Sequence, residues 1–146
     1  MEYKVDVEDV KFTLFDFLHP EQLSALPRFK EQNNDLYQSV IDEALKFART
    51  EVAPLNEKGD RIGVQMVDGR VRMPEGFGEV LRKFGENGFM AIDLNSEYNG
   101  MGLPTLINTV VSEFVMGACP SFDFFHLLTR GDCNLLQAFG SEEQKQ

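Results

Sequence analysis

Apolar residues mark four helical stretches of this chain and alternate in two others. From Leu36, the positions Val40, Ile41, Ala44, Leu45, Ala48 and Val52 fall on one stripe, which predicts a helix closed by Pro54. Asn33, Asn34 and Asp35 precede it and offer side chains that cap orphan amides. Phe77, Val80, Leu81 and Phe84 form the face of a second helix, which Pro74 is placed to open and Gly85 or Gly88 to end. Leu106, Ile107, Val110, Val111, Phe114, Val115 and Ala118 mark a third, starting at Pro104-Thr105. A fourth runs roughly from Phe122 to Phe139 and is apolar nearly all round its first turns, so it is expected to be covered on several sides. Gly140 stands where a left-handed helix cap belongs.

Between the first two helices the polar stretch from Asn56 to Gly63 reads as turn. Residues 64–73 alternate about Asp68-Gly69, which signals a short exposed hairpin. Residues 3–18 alternate loosely before clustering apolar side chains, and read as a strand or extended arm ended at His19-Pro20. A short helix over Glu21–Lys30 conflicts with Pro27. The sum is an all-α bundle of four main helices with a short β-hairpin and an N-terminal arm. The last six residues, Ser141 to Gln146, start one more helix: Ser141 and Gln144 have capping-box spacing, and Glu142 and Glu143 suit the positive end of the helix dipole. One turn does not stand alone, so this end reads as a larger architecture cut off and is expected to fray unless a dimer partner covers it.

Composition narrows the function classes. A net charge of −10 argues against nucleic acid and anionic membrane as partners, since both need basic patches. No apolar run approaches the length of a membrane span. Met1-Glu-Tyr-Lys-Val-Asp6 carries charge where a secretory leader needs an apolar stretch, so a cytoplasmic protein is expected. Cys119 and Cys133 form no metal or disulfide spacing and read as free thiols.

Recognisable chemistry is sparse. His126 sits among Phe and Leu and reads as a core residue, and Cys133 as a structural thiol. Neither Gly76-Phe-Gly78 nor Gly100-Met-Gly102 follows a long strand, so a dinucleotide fingerprint is not indicated. Ser112-Glu113 and Ser121-Phe-Asp123 lack a histidine in triad order. Taken alone, the residues indicate a helical domain and no reaction.

One run changes this. Phe89-Met-Ala-Ile-Asp-Leu-Asn-Ser-Glu-Tyr-Asn-Gly-Met-Gly-Leu-Pro104 resembles the G-[LF]-x-x-[ILM]-x-x-P-x-x-Y-G-G-x-G-L passage of acyl-CoA dehydrogenases. Phe47-Ala-Arg-Thr-Glu-Val-Ala-Pro54 resembles the end of their first long helix, Ser112-Glu113-Phe114 part of the next, and Phe139-Gly-Ser-Glu-Glu-Gln-Lys145 their G-[ST]-x-E-Q-K boundary. The likeness runs from about Asn34 to Gln146. The arm through Phe12-Thr-Leu-Phe15, the run Phe47 to Asp60 and Leu128-Thr-Arg-Gly131 resemble a larger bacterial branch that carries an extra N-terminal segment. That branch includes enzymes acting on methylthio-propionyl-type thioesters. Asn95 stands where the family usually has Pro, and Asn99 where it often has Gly; Asn tolerates the left-handed conformation.

The resemblance implies residues 1–33 as an N-terminal extension and 34–146 as the helical N-terminal domain. The middle and C-terminal domains, which hold most of the FAD site and the base that removes the α-proton, would lie outside this chain. No cofactor is therefore expected on this chain, and no dehydrogenation by it alone. What remains is half of an acyl pocket. The matching positions on the third and fourth helices are Val111, Val115, Phe122, Phe124, Phe125 and Leu128 as candidate lining for an acyl chain. Two expectations follow. In the first, the chain is a non-catalytic module that binds a fatty acyl chain or a protein partner through the remnant pocket and buries its exposed surface in a homodimer. In the second, it is part of an FAD-dependent acyl-CoA dehydrogenase completed by further domains or a partner chain.

Overall fold

The computed structural model describes residues 3–145. Met1, Glu2 and Gln146, the last residue of the expected terminal helix, lie outside them. Helix α1 (Val7–Lys11) runs into a π-helical turn over Phe12–Phe17, followed by 3₁₀ turns at Pro20–Ala25 and Pro27–Phe29. Helix α2 (Asn34–Phe47) passes through a π-helical turn at Ala48–Val52 into α3 (Ala53–Ile62). Strands β1 (Gln65–Val67) and β2 (Arg70–Arg72) follow, then α4 (Phe77–Glu86), α5 (Thr105–Ala118), α6 (Pro120–Phe139) and α7 (Glu142–Lys145). The architecture is an all-α bundle with a short two-stranded antiparallel hairpin.

The arm is helical, not extended. Asp6 accepts a hydrogen bond from the Asp9 amide at 3.2 Å and so caps α1. Val7, Val10 and Leu14 also fit a helical period, and Leu14 enters the main core while Val7 and Val10 pack against it. The alternation in the first residues is too short to decide against that burial. The expected helix over Glu21–Lys30 is two 3₁₀ pieces, because Pro27 forces Leu26 into extended backbone.

Pro54 does not end the first helix. The π-helical turn just before it shifts the hydrogen-bond register, with the Ala53 amide donating to the Ala48 carbonyl five residues back. Pro54 then sits in the first turn of α3, where it needs no amide. The expected turn from Asn56 to Gly63 is therefore mostly helix. Pro74 lies ahead of α4 rather than opening it: the Phe77 amide donates to its carbonyl, and the helix begins at Phe77. The hairpin is as expected, with Met66 opposite Val71 and positive φ at Asp68 (50°) and Gly69 (72°).

Asn99 takes φ 63°, so the loop keeps its left-handed residue without glycine. Gly140 does not: its φ is −68° and its backbone extended. Its need for glycine is steric, since a Cβ there would lie 2.6 Å from the Leu136 carbonyl oxygen. The capping box at Ser141 forms in both directions, Gln144 N to Ser141 Oγ at 3.3 Å and Ser141 N to Gln144 Oε1 at 2.9 Å. Glu142 of α7 also accepts the Tyr98 hydroxyl at 2.7 Å, which holds this turn against the 96–98 loop. That bond, with Lys145 on the same carboxylate group, holds Glu142 below the usual carboxylate range and lifts the Tyr98 phenol to about 12.

The core is continuous. Tyr37, Ile41 and Leu45 of α2 meet Ile107, Val111 and Phe114 of α5, with Phe77 and Phe84 of α4 and Phe122 of α6 closing the other side. Burying each such aromatic contributes roughly 2–3 kcal/mol.

Two glycines provide opposite tests of this geometry. A Cβ on Gly100 would lie 2.2 Å from the Leu94 carbonyl oxygen, whereas one on Gly131, in the exposed part of α6, meets nothing within 4 Å. Gly100→Ala is expected to lower the unfolding free energy by about 3 kcal/mol or more. Gly131→Ala is expected to raise it by about 0.5–1 kcal/mol. Urea denaturation of the two variants beside the parent measures both.

Candidate functional site

Helix α6 separates two environments along its 20 residues. Successive side chains point about 100° apart, so residues three and four apart share a face. Cys119, Phe122, Asp123 and His126 face inward and are buried, and Arg130 continues that line half-buried. Phe124, Phe125, Leu128, Leu135, Leu136 and Phe139 face outward; Leu128 is 75% exposed and Phe139 83%.

The six candidate acyl-lining residues divide between these environments. Val111 and Val115 sit one turn apart on α5 and, with Phe122, lie in the closed core. Phe124, Phe125 and Leu128 lie on the outer face of α6, where the Phe125 ring meets Phe77 edge-on at 6.0 Å. The structure thus brings three of them to one surface and places the other three beneath it.

A polar cluster that the motif search passed over lies under α6. Arg130 Nη2 donates to Asp93 Oδ2 at 2.6 Å and Arg130 Nε to Asp93 Oδ1 at 3.3 Å, a two-point clamp that is almost dry. Arg28 Nη2 donates to the Asp93 carbonyl at 3.0 Å. Asn108 of α5, with its amide oxygen toward the guanidinium, accepts from Arg130 Nη1 and Nη2 at 2.9 Å. One arginine therefore joins α6, α5 and the turn after Phe89, and Arg28 ties in the N-terminal extension. The available sequence signal was a lone charge in each of two apolar runs, Asp93 between Ile92 and Leu94, and Asp123 between Phe122 and Phe124.

Asp123 and His126 sit on the same inner face without such partners. Neither Asp123 carboxyl oxygen has a hydrogen-bond partner, nor has His126 Nδ1. His126 Nε2 lies 3.6 Å from Asp123 Oδ1, beyond a hydrogen bond. Burial pushes the Asp123 carboxyl up, tempered by the Arg130 charge. Burial likewise pushes the His126 imidazole down; the Asp123 backbone carbonyl one turn back opposes this and the Arg130 charge reinforces it.

Two surface grooves among the described residues are poor sites for a dinucleotide. One of about 510 Å³ is lined by Ala53, Pro54, Asn56, Glu57, Asp60 and Arg61. Its Arg61 is paired with Glu57 at 2.9 Å, which leaves net negative charge where a pyrophosphate needs cations. A second, also about 510 Å³, lies between Tyr3, Lys4, Asn56 and Glu113 and sets one lysine against one glutamate, less positive charge than a pyrophosphate needs. These residues do not fit FAD. Among the described residues no cluster of His, Cys, Asp and Glu is arranged to hold a metal ion, and no helix is long and apolar enough to cross a membrane.

A helical bundle of this order, with the Gly-rich loop between α4 and α5 and a capped turn after α6, defines an acyl-CoA dehydrogenase-type helical domain. Residues 34–146 match the acyl-CoA dehydrogenase N-terminal domain family, and the chain belongs to that family. It is 32% identical over 145 residues to the 3-methylmercaptopropionyl-CoA dehydrogenase of Ruegeria pomeroyi, covering 99% of this chain and 25% of that protein. It is 27% identical over 148 residues to a butyryl-CoA dehydrogenase of Syntrophomonas wolfei, again 99% of this chain and 24% of the relative. It is 31% identical over 116 residues to the mitochondrial short-chain specific acyl-CoA dehydrogenase of Sus scrofa, 77% of this chain and 25% of the relative. The chain thus spans about a quarter of the length of the curated relatives it matches.

The clamp is the testable element of this region. Arg130→Met leaves Asp93 buried without a counter-charge and is expected to lower the unfolding free energy by about 3–5 kcal/mol. Adding Asp93→Asn to that variant is expected to recover part of the loss, because the stranded charge is then gone. Urea denaturation of the two variants measures both effects.

Proposed function

We propose that this chain acts as the N-terminal helical domain of a flavin-dependent acyl-CoA dehydrogenase and that the outer face of α6 supplies one wall of its acyl site. The observation that carries the reading is the exposed apolar stripe from Phe124 to Phe139. Soluble proteins seldom leave a stripe of this kind uncovered unless something docks on it. In this reading Phe124, Phe125 and Leu128 meet the acyl chain, and Leu135, Leu136 and Phe139 pack against the remainder of the enzyme. Val111, Val115 and Phe122 back the wall from within the core. The acceptor of the α-proton and the flavin belong to parts of the enzyme beyond these residues. The names of the three relatives favour a short acyl thioester as substrate.

A chimera tests this: the whole chain replaces the matching quarter of the Ruegeria pomeroyi relative, and acyl-CoA-dependent dye reduction is followed. The expected result is a flavin-coloured chimera that oxidises short acyl-CoA thioesters. Leu128→Asp in the same chimera is expected to raise KM about tenfold or more by placing a charge in the wall. A chimera that holds flavin and sediments as a folded protein but oxidises no acyl-CoA would overturn the reading.

The same uncovered stripe favours a second reading, a stand-alone module that buries the face in a homodimer and binds a fatty acid there. Native mass spectrometry of the chain, with organic extraction, separates the two. A dimer carrying extractable lipid supports the second reading, and a bare monomer excludes it.

A further inference from the structure

The inner face of α6 holds a titratable pair that the acyl wall does not use. Asp123 is 1% exposed and His126 6%, and the two lie one helical turn apart. A buried carboxylate is stabilised by donors, and this one has none: both oxygens lack a partner. Arg130, the cation on the same face, is committed to Asp93 at 2.6 Å and 3.3 Å and to Asn108. Among the described residues the other elements packed on α6 bring no substitute: Lys145 of α7 pairs with Glu142 at 3.0 Å, and Glu143 is exposed. Glu57, Lys58, Asp60 and Arg61 of α3 and Glu113 of α5 are exposed. Glu79, Arg82 and Glu86 of α4 are exposed too, and Lys83 pairs with Glu51 and Glu79 at the surface. What α4 presents to His126 is the Phe84 ring, edge to face at 4.7 Å. From the 89–93 turn comes only Asp93, already clamped.

We infer that Asp123 and His126 form a one-proton lock on α6: closed, Asp123 is a neutral carboxylic acid beside a neutral imidazole, and local opening of the helix moves that proton to His126. The proton count balances. The closed pair carries one titratable proton, on Asp123. In the open, hydrated helix the carboxylate and imidazolium also carry one between about pH 4 and pH 6.5, the ordinary values of the two groups. Opening therefore exchanges a buried neutral pair for a hydrated ionic pair and neither takes up nor releases a proton in that window.

The two groups act with opposite signs. The Asp123 carboxyl is raised in the closed state, so its contribution is complete below about pH 4 and is lost as pH rises toward the closed-state value. The His126 imidazole is lowered, so its contribution is complete above about pH 6.5 and is lost as pH falls. In the parent protein the two dependences cancel across the window. Each single variant exposes the other group.

Amide hydrogen exchange of residues 122–130, corrected for intrinsic pH dependence, reads the opening constant directly. In the parent protein it is expected to be flat, within about twofold, between about pH 4 and pH 6.5. In His126→Gln, opening is expected to increase with pH by up to about tenfold per unit. In Asp123→Asn it is expected to increase as pH falls, by up to the same factor. Parallel slopes in the two variants, or no slope in either, would overturn the lock. A second measurement needs no variant: carbon and nitrogen NMR of the parent protein near the middle of the window. A neutral Asp123 carboxyl with a neutral His126 ring supports the inference, and a carboxylate with an imidazolium refutes it.

Discussion

The Phe84 ring is the contact on which the arrangement of this bundle depends. It meets Phe47 at 5.8 Å, Phe89 at 5.5 Å, Phe122 at 5.7 Å and His126 at 4.7 Å. Those four rings come from α2, from the turn after α4 and from α6, so a single side chain fixes three elements against α4. All four pairs are tilted or edge-on, as the quadrupoles of aromatic rings prefer. The consequence for α6 is rotational. Once Phe122 and His126 face Phe84, helical periodicity turns Asp123 inward with them and sends Phe124 and Leu128 outward.

The second constraint is electrostatic and ties the extension to the rest. Arg130 grips the Asp93 side chain while Arg28 holds the Asp93 carbonyl, and Gln32 Nε2 donates to the Gly102 carbonyl at 3.0 Å. Residues before Asn34 are therefore bonded to both ends of the loop between Ala91 and Leu103. Leu14 joins the same core as Phe84. The extension is a part of the bundle and not an accessory to it.

The long helices, the hairpin and the capped terminal turn were legible because each rests on local chemistry: apolar stripes at helical spacing, Asp68-Gly69, and Ser141 with Gln144. Where sequence reading failed, tertiary contact overrode a local rule. Pro54 reads as a stop, yet one π-helical turn realigns the amides and the helix continues. Residues 7–14 fit two periods, and burial of Leu14 selects the helical one. The apolar candidates on α5 and α6 were identifiable as a set. Their division between core and surface was not, because Phe122 and Phe124 differ only in which way the helix is rotated. The clamp was not legible because its members, Arg28, Asp93, Asn108 and Arg130, are far apart in the chain and no one motif joins them.

The distribution of polarity on α6 is inverted for a surface helix. Its inner face carries Asp123, His126 and Arg130, and its outer face carries Phe124, Phe125, Leu128 and Phe139. Neither face of such a helix gains fully from an interface with water on the outside. The inner face relies on Arg130 being clamped and on Asp123 staying neutral; the outer face relies on cover. These two requirements are linked. An apolar surface laid over Phe124 and Leu128 excludes water from the helix, and water is what the charged, open form of the Asp123–His126 pair needs. Covering the outer face therefore also favours the neutral, closed arrangement on the inner one, so docking on α6 and the protonation of its core act in the same direction.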